Sequence, residues 1–369
     1  MSEPFCFQMS ISEFIENNFK EIRAPFFAGI ELTAKCNLHC LHCYAKNGIA
    51  DSDMTTEEVY QIIDKLCESG TLGIYLTGGE ALLRPDFFDI YRYAKKKGMS
   101  VSVLSNITLL NETHIALFTE YPVSEVSTTL YGATEQTYEA VTGVKGSYQK
   151  FVKALQLLQE NQIPVSLKYV TLRENYHEVY LAQEFAEQHH CRMMTAFSIY
   201  SAANGDPFPL QHRVSPQEAF HFDLHDKKRN AFWKQKAQEL YLERTGKKEK
   251  HIYARKEEGY FYPCDISWHS TFISHLGRMQ ACTKTSYQSY DLLHGDFQTG
   301  WDFLKKEFRD KKKSFACLQC EKFHYCEQCT ANFLCDNHSE PQIDPFYCGV
   351  AQLRYDYITH EVQKIEEEE

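Results

Sequence analysis

Residues 28–45 have the sequence AGIELTAKCNLHCLHCYA, in which a short apolar run leads directly into three cysteines and two histidines. The run AGIELTA has the length and composition of a buried strand. Cys36, Cys40 and Cys43 then fall within eight residues at the end of that strand. Thiolates at this spacing indicate a metal site of one of two kinds. One is a zinc site closed by a histidine, and the other is an iron–sulfur cluster with one iron left open.

The region from about residue 28 to residue 200 alternates strand-like and helix-like segments. Strand patterns occur at 72–80, 100–106, 123–132 and 164–172, and amphipathic helix patterns occur at 55–70, 85–98, 146–162 and 176–190. This alternation predicts an α/β fold with parallel strands and crossover helices, as a barrel or an open sheet. In such folds the site is built at the carboxyl ends of the strands, where the cysteine segment falls.

Composition and charge exclude several classes of protein. A net charge of −11 is the opposite of what a nucleic-acid-binding face requires. No stretch approaches the ~18 consecutive apolar residues of a membrane span, and the N-terminus lacks the pattern of a secretory signal. We therefore expect a cytoplasmic protein that binds neither nucleic acid nor membrane.

The 14 cysteines are unevenly distributed along the chain. In a cytoplasmic protein such cysteines indicate metal or redox sites rather than disulfides. We interpret the isolated Cys6, Cys67 and Cys191 as small buried hydrophobic residues. The remaining cysteines lie in the cluster 36–43 and in the last third of the chain, at Cys264, Cys282, Cys317, Cys320, Cys326, Cys329, Cys335 and Cys348.

Polar residues end the other predicted strands. The turn Gly78-Gly79-Glu80 lets the backbone approach a ligand closely, and Glu80 supplies an acceptor for an ammonium group. Ser105, Asn106, Ser127 and Thr129 end the next two strands, where they either face a ligand or only meet solvent. Lys168 lies within an apolar strand, so its charge requires a partner or water.

These elements, in this order, resemble the radical S-adenosylmethionine (SAM) enzymes. Their signature is C-x3-C-x2-C followed by a GGE motif, although Ala81 stands where the family usually has proline. The resemblance implies a partial (β/α)6 TIM-type barrel and a [4Fe–4S] cluster on Cys36, Cys40 and Cys43 whose open iron binds SAM. It also implies SAM contacts from these residues: Gly78, Gly79, Glu80, Ser105, Asn106, Ser127 and Lys168.

The cysteine-rich tail resembles the SPASM extension of these enzymes, a small α+β iron–sulfur domain. The shared features are a hairpin with Gly277 before Cys282, then C-x2-C-x5-C, and a last cysteine. The resemblance implies one auxiliary cluster on Cys264, Cys282 and Cys329, and a second on Cys317, Cys320, Cys326 and Cys348. Cys335 has no fixed place: it completes the first cluster, leaves that cluster an open iron, or is inert.

The expected domain organisation has four parts. It comprises an N-terminal extension (1–27), the radical SAM barrel (28–200), a helical bridge (201–260) and the auxiliary-cluster domain (261–369). The extension is too short for a winged-helix reader of leader peptides. We therefore expect the bridge or a separate protein to bind a leader.

The resemblance implies a peptide maturase that abstracts hydrogen from a ribosomally made precursor peptide. The product would be a thioether or carbon–carbon crosslink or an oxidised residue, with an electron donor such as flavodoxin or ferredoxin. The alternatives are a sulfatase-type protein maturase, a heme-pathway enzyme, and a non-enzymic metal-binding or electron-transfer module. The sequence singles out no catalytic acid or base.

Overall fold

A computed structural model of the chain describes eight stretches of residues. They are 24–45, 53–202, 204–247, 259–262, 264, 266–313, 315–332 and 343–368. Cys335, most of the N-terminal extension and the end of the bridge lie outside the described residues, so the predictions made for them remain predictions.

Six parallel strands lie side by side in the order β6-β5-β4-β3-β2-β1. The strands are β1 Phe27–Glu31, β2 Gly73–Thr77, β3 Ser100–Leu104, β4 Val126–Thr129, β5 Val165–Val170 and β6 Arg192–Ala196. Chain order and sheet order run together, as expected when each crossover helix returns the chain to the next strand. The predicted α/β architecture is confirmed, and β6 is a strand for which the sequence pattern gave no separate prediction.

Helices connect these strands and also occur in the second half of the chain. They are α1 Thr56–Ser69, α2 Phe87–Lys96, α3 Glu112–Glu120, α4 Glu135–Thr142, α5 Ser147–Glu160, α6 Val179–Gln188, α7 Pro216–His225, α8 Lys227–Arg244, α9 Phe297–Leu304 and α10 Pro345–Glu368.

The first helix shows how local sequence sets these boundaries. At its start the Thr55 hydroxyl accepts from the Glu58 amide, and the Glu58 carboxylate accepts from the Thr55 amide, which satisfies two exposed donors. At its end Gly70 adopts φ +94°, which a residue without Cβ reaches at little cost. The apolar side chains between them are buried against the sheet.

The predicted hairpin is present and extends the same sheet. Strands β7 Ser270–Ile273 and β8 Arg278–Gln280 pair antiparallel, and β9 Tyr290–Asp291 follows. Because β7 also pairs in parallel with β1, the cysteine-rich half begins as a continuation of the barrel sheet. Cys282 follows β8 by two residues, and β7 lies between β8 and β1.

The bridge helices pack mainly on the C-terminal helix. Trp233, Ala237 and Tyr241 of α8 form a separate apolar cluster with Ile358 and Val362 of α10. In the part of the chain that the structure describes, no helix is long and apolar enough to cross a membrane.

Candidate active site

A cavity of about 280 Å³ opens at the carboxyl ends of the parallel strands. The end of each of β2 to β5, the cysteine segment after β1 and the segment after β6 all contribute to its wall. Its lining is Cys36, Leu38, Cys40, His42, Cys43, Tyr44, Ala45, Thr77, Gly78, Gly79, Leu104, Ser105, Asn106, Ser127, Thr129, Tyr131, Lys168, Val170, Ser198, Ile199 and Tyr200. Of the first cysteine cluster and the polar strand ends predicted from the sequence, every residue except Glu80 therefore borders this one cavity.

The cysteine loop is fixed by its backbone as well as by its sequence. The amides of His39 and Leu41 donate to the carbonyls of Thr142 (2.8 Å) and Val141 (3.1 Å) at the end of α4. Burial, together with the neighbouring thiols of Cys43 and Cys36, raises the pKa of Cys40 to about 12. The three thiols therefore lie close enough for their charges to repel, and a cationic iron centre would relieve that repulsion.

Asp53 anchors the start of this loop and was not predicted from the sequence. Its carboxylate accepts from the Thr33 hydroxyl (2.7 Å) and from the Ala34 amide (3.2 Å). Asp53 lies two residues before Thr55, the cap of α1, so its local pattern is that of an ordinary helix start. Only the fold brings it under the cysteine loop.

Two glycines allow the turn after β2 to touch that loop. The amides of Gly79 and Glu80 donate to the carbonyls of Thr33 (2.7 Å) and Lys35 (2.8 Å). A Cβ at Gly79 would lie 2.4 Å from the Lys35 carbonyl oxygen, and one at Gly78 would lie 2.6 Å from that of Thr33. The glycines are therefore required by the approach of two backbones, in addition to the ligand approach predicted above.

Glu80 itself lies behind the cavity wall, and its predicted contact with a ligand ammonium remains a prediction. The side chain is fully buried, and Oε1 accepts from the Leu82 amide (2.9 Å) and the Ser105 hydroxyl (2.7 Å). Oε2 accepts from the Asn106 amide (2.7 Å). Burial raises the pKa of Glu80, and these three hydrogen bonds oppose the rise. The carboxylate thus joins the end of β3 to the turn after β2.

Asn106 links the end of β3 to the cysteine loop. Its Nδ2 donates to Asn37 Oδ1 (3.0 Å), and its Oδ1 accepts from the Thr108 hydroxyl (2.6 Å). Ser127 and Thr129 border the cavity from β4. The polar strand ends predicted from the sequence are therefore brought together at one edge of the sheet.

Lys168 is the one charged side chain in the described lining, which contains no Asp or Glu. Burial lowers the pKa of Lys168, and Glu125 opposes that shift. A half-buried ammonium facing a cavity favours a ligand with a carboxylate. This is the environment that the sequence prediction for Lys168 requires.

Three tyrosines complete the wall and were not singled out from the sequence. Tyr44 follows the last cysteine of the loop, whereas Tyr131 and Tyr200 come shortly after strands β4 and β6. The rings of Tyr44 and Tyr200 are 5.5 Å apart, and the ammonium of Lys284 lies 3.9 Å from the centre of the Tyr200 ring. Tyr131 follows a predicted strand, and that position would have identified it. Tyr200 would have been identified in the same way if β6 had been predicted.

The described cysteines from Cys264 onward form two groups. Burial raises the pKa of Cys282 to about 12, and Cys329 and Cys264 contribute by charge repulsion. In the same way burial raises the pKa of Cys326 to about 11, with Cys348, Cys317 and Cys320 as its neighbours. The fold therefore brings Cys264 and Cys329 near Cys282, and Cys317, Cys320 and Cys348 near Cys326. Their assignment to two clusters remains a prediction.

Each thiol set has a donor type that suits an iron–sulfur cluster. Among the described residues, no three His, Cys, Asp or Glu side chains converge closely enough to hold a single metal ion.

Comparison with known proteins agrees with this geometry. Residues 30–186 match the profile of the Radical SAM superfamily. The AdoMet-dependent heme synthase of Methanosarcina barkeri is 25% identical over 331 residues, covering 84% of this chain and 92% of that protein. The mycofactocin maturase MftC of Mycobacterium tuberculosis (strain H37Rv) is 26% identical over 330 residues, covering 86% of this chain and 81% of that protein.

Three other curated relatives are matched over less than half of their own length, at 44%, 36% and 42%. Among solved structures, Streptococcus suis SuiB bound to the precursor peptide SuiA has a TM-score of 0.66 at 15% identity. That match covers 88% of this chain and 76% of SuiB.

The chain contains a radical SAM domain and is a radical SAM enzyme. Its parallel sheet is the partial barrel of that fold, and its cofactors are a [4Fe–4S] cluster and SAM. Its homologues include peptide maturases, and heme synthases are the alternative among them. The predicted superfamily, fold and cofactors are confirmed, and a purely non-enzymic metal module is set aside.

Proposed function

We propose that the chain is a peptide maturase that abstracts hydrogen from a ribosomally made precursor peptide. The product would be a thioether or carbon–carbon crosslink, or an oxidised residue. The observation that carries the proposal is the pairing of one small cavity with two further thiol sets in the same chain. The similarity to a mycofactocin maturase over 86% of the chain supports it.

The proposed cofactor site uses the cavity wall. Cys36, Cys40 and Cys43 would hold the cluster that binds SAM, which supplies reductive cleavage to a 5′-deoxyadenosyl radical. Within the wall, the backbone of Gly78 and Gly79 would meet the cofactor with Ser105, Asn106 and Ser127, and Lys168 would face its carboxylate. Glu80 would act indirectly, by holding the end of β3 against the turn after β2.

The two other thiol sets would hold auxiliary clusters. Cys264, Cys282 and Cys329 would bind the first, and Cys317, Cys320, Cys326 and Cys348 the second. The first would either accept the electron left after bond formation or bind a substrate thiolate. Cys335 remains a predicted ligand of the first cluster, and the four-part domain division remains a prediction as well.

The size of the cavity favours a peptide side chain over a macrocycle. At about 280 Å³ it lies just below the ~300–1,000 Å³ typical of small-molecule sites. The same cavity, with Tyr44 and Tyr200 in its wall, would also have to hold SAM. The chain's own residues would then position that side chain and exclude water from the radical.

A heme-pathway reaction is the second candidate, because a heme synthase matches this chain over 92% of its own length. Tetrapyrrole substrates carry several carboxylates, whereas the described lining offers a single lysine. Charge complementarity therefore ranks this reaction below peptide maturation. Sulfatase-type maturation of a protein substrate would use the same cofactor site and ranks with it as an alternative.

We propose that two proteins assist the reaction in the cytoplasm. One is an electron donor such as flavodoxin or ferredoxin. The other is a separate protein that binds the leader of the precursor, unless the helical bridge does so.

The test is anaerobic reconstitution followed by assay with dithionite, SAM and one of two substrates. The substrates are short peptides encoded beside this gene, and iron-coproporphyrin III. We expect about 12 iron atoms per chain for three cubane clusters, 5′-deoxyadenosine formation, and a peptide product that has lost two hydrogen atoms. Cys36→Ala should abolish deoxyadenosine formation. Turnover of the porphyrin with no change in any peptide would overturn the proposal.

A further inference from the structure

A basic patch lies on the auxiliary side of the molecule. Its cations occur within residues 305–313, KKEFRDKKK, in a chain whose net charge is −11. They are Lys305, Lys306, Arg309, Lys311, Lys312 and Lys313. Lys305 pairs with Asp302, and Arg309 pairs with Asp310. Residues 302–313 hold six basic and three acidic side chains, so this segment keeps a net charge of +3.

Packing beneath the patch holds these charges outward. Phe308 is fully buried, and its ring lies 5.4 Å from that of Tyr262. The amide of Phe261 donates to the Lys311 carbonyl (2.8 Å), so residues 260–262 run beside residues 311–313. Lys312 lies 4.7 Å from the centre of the Tyr260 ring, and Lys306, Lys312 and Lys313 are exposed. The backbone therefore presents several cations on one surface.

The patch borders the first auxiliary thiol set. Tyr262 precedes Cys264 by two residues, and Cys264 is an exposed member of that set. Tyr262 also packs against Phe308 beneath the patch, and its phenol shares a hydrogen bond with that of Tyr287 (2.8 Å). One layer of aromatic residues thus separates the cations from the thiols.

We propose that the basic patch docks a small acidic protein that carries single electrons, of the flavodoxin type. One electron would leave the reduced carrier, which is oxidised. It would reduce the iron–sulfur centre held by Cys264, Cys282 and Cys329, and no proton is required. This inference rests on the proposed function only in assigning a cluster to that thiol set.

The charge distribution favours such a partner over a nucleic acid. Opposite charges on two small surfaces steer encounter and set its dependence on salt. A long polyanion would meet the negative remainder of the chain, whereas a small acidic protein covers only the patch. Transient redox complexes bury less than ~1,200 Å², which a patch of this extent can supply.

The test measures association of a reduced flavodoxin with the reconstituted full chain between low and moderate salt. The variant is Lys306→Glu/Lys312→Glu/Lys313→Glu. Its matched control is Lys145→Glu/Lys150→Glu/Lys153→Glu, which changes three exposed lysines near and on α5 by the same charge. We expect the association rate constant at low salt to fall at least about tenfold for the patch variant, with a flatter salt dependence, and less than about twofold for the control.

A second measurement separates docking from the proposed function. Dithionite needs no docking surface, so deoxyadenosine formation driven by dithionite should be unchanged in the patch variant. Lys306→Gln/Lys312→Gln/Lys313→Gln should show a smaller loss of flavodoxin association, because charge is removed rather than reversed. Equal losses in the patch and control triples, or association of the parent protein that does not depend on salt, would overturn the docking site. Absence of auxiliary iron would overturn the cluster assignment instead.

Discussion

At the scale of single residues, the fully buried carboxylate of Glu80 accepts three hydrogen bonds. Donors that lose such an acceptor remain buried without a partner, which costs about 1–3 kcal/mol each. Loss of these bonds would also affect cofactor binding, because Ser105 and Asn106, two of the residues that donate to Glu80, border the cavity. Glu80 therefore acts as a positioning residue for the wall.

The first prediction concerns Glu80→Gln. The amide keeps the shape but offers one acceptor in place of two, so one buried donor is left facing an NH₂ group. We expect the free energy of unfolding to fall by about 1–3 kcal/mol and SAM binding to weaken at least about tenfold. Urea unfolding and equilibrium dialysis measure these two effects. Glu57→Gln, an exposed change on α1, should alter neither.

Weaker SAM binding with unchanged stability would show that Glu80 contacts the cofactor directly. That outcome would support the ligand role expected from the motif. Loss of both quantities together is what the observed hydrogen bonds require.

At the scale of elements, the turn after β2 and the loop after β1 behave as one unit. Their backbones exchange hydrogen bonds at 2.7 and 2.8 Å, and neither Gly78 nor Gly79 leaves space for a Cβ. The cysteine loop is thus positioned from β1, from the turn after β2 and from the end of α4. Movement of any of these would move the sulfurs.

The second prediction is for Gly79→Ala. Its Cβ would lie 2.4 Å from the Lys35 carbonyl oxygen, so the cysteine loop must shift. We expect loss of the SAM-binding cluster, seen as about four fewer iron atoms per chain, one cubane, with no deoxyadenosine formed. The control is Gly98→Ala, where a Cβ meets open space but φ is +84°. It should cost about 1–2 kcal/mol of stability and leave the iron content unchanged. Full iron content in Gly79→Ala would contradict this account of the loop.

At the scale of the whole molecule, a charge network fixes the segment between the two auxiliary thiol sets. Glu327 lies between Cys326 of the second set and Cys329 of the first. Its Oε1 pairs with Arg229 of α8 (3.1 Å) and with Arg354 of α10 (3.3 Å). Both arginines also pair with the buried Asp223 of α7, and Arg354 donates to the Tyr325 carbonyl at 3.1 Å. Three helices of the second half therefore hold both sets in place.

The third prediction is for Glu327→Gln. The change removes one carboxylate from two arginines and loosens the segment that both sets share, because charge-assisted hydrogen bonds are the stronger ones. We expect auxiliary iron to be lost while about four iron atoms per chain remain on the SAM-binding cluster. Iron analysis and electron paramagnetic resonance of the reduced protein measure this.

Glu321→Gln is the matched control, because Glu321 is an exposed glutamate beside Cys320 in the same segment. It should keep the full iron content. Loss of iron from both variants, or from neither, would show that the network around Glu327 does not position the auxiliary thiols.

The sequence by itself determined the alternating fold and the spacing of the cysteine motifs, because local periodicity and spacing are properties of the chain. The grouping of the auxiliary cysteines into clusters came from a family resemblance and remains a prediction. The sequence did not reveal β6, whose short segment RMMTA at the sheet edge lacks a clear buried pattern.

Only the tertiary structure decided how distant residues meet. It placed Asp53 under the cysteine loop, turned Glu80 inward to β3, and joined α7, α8 and α10 around Glu327. It also set the basic patch beside Cys264. The physical reason is that hydrogen bonds and ion pairs between side chains depend on which elements pack together. Residues far apart in sequence carry no local signal of that contact.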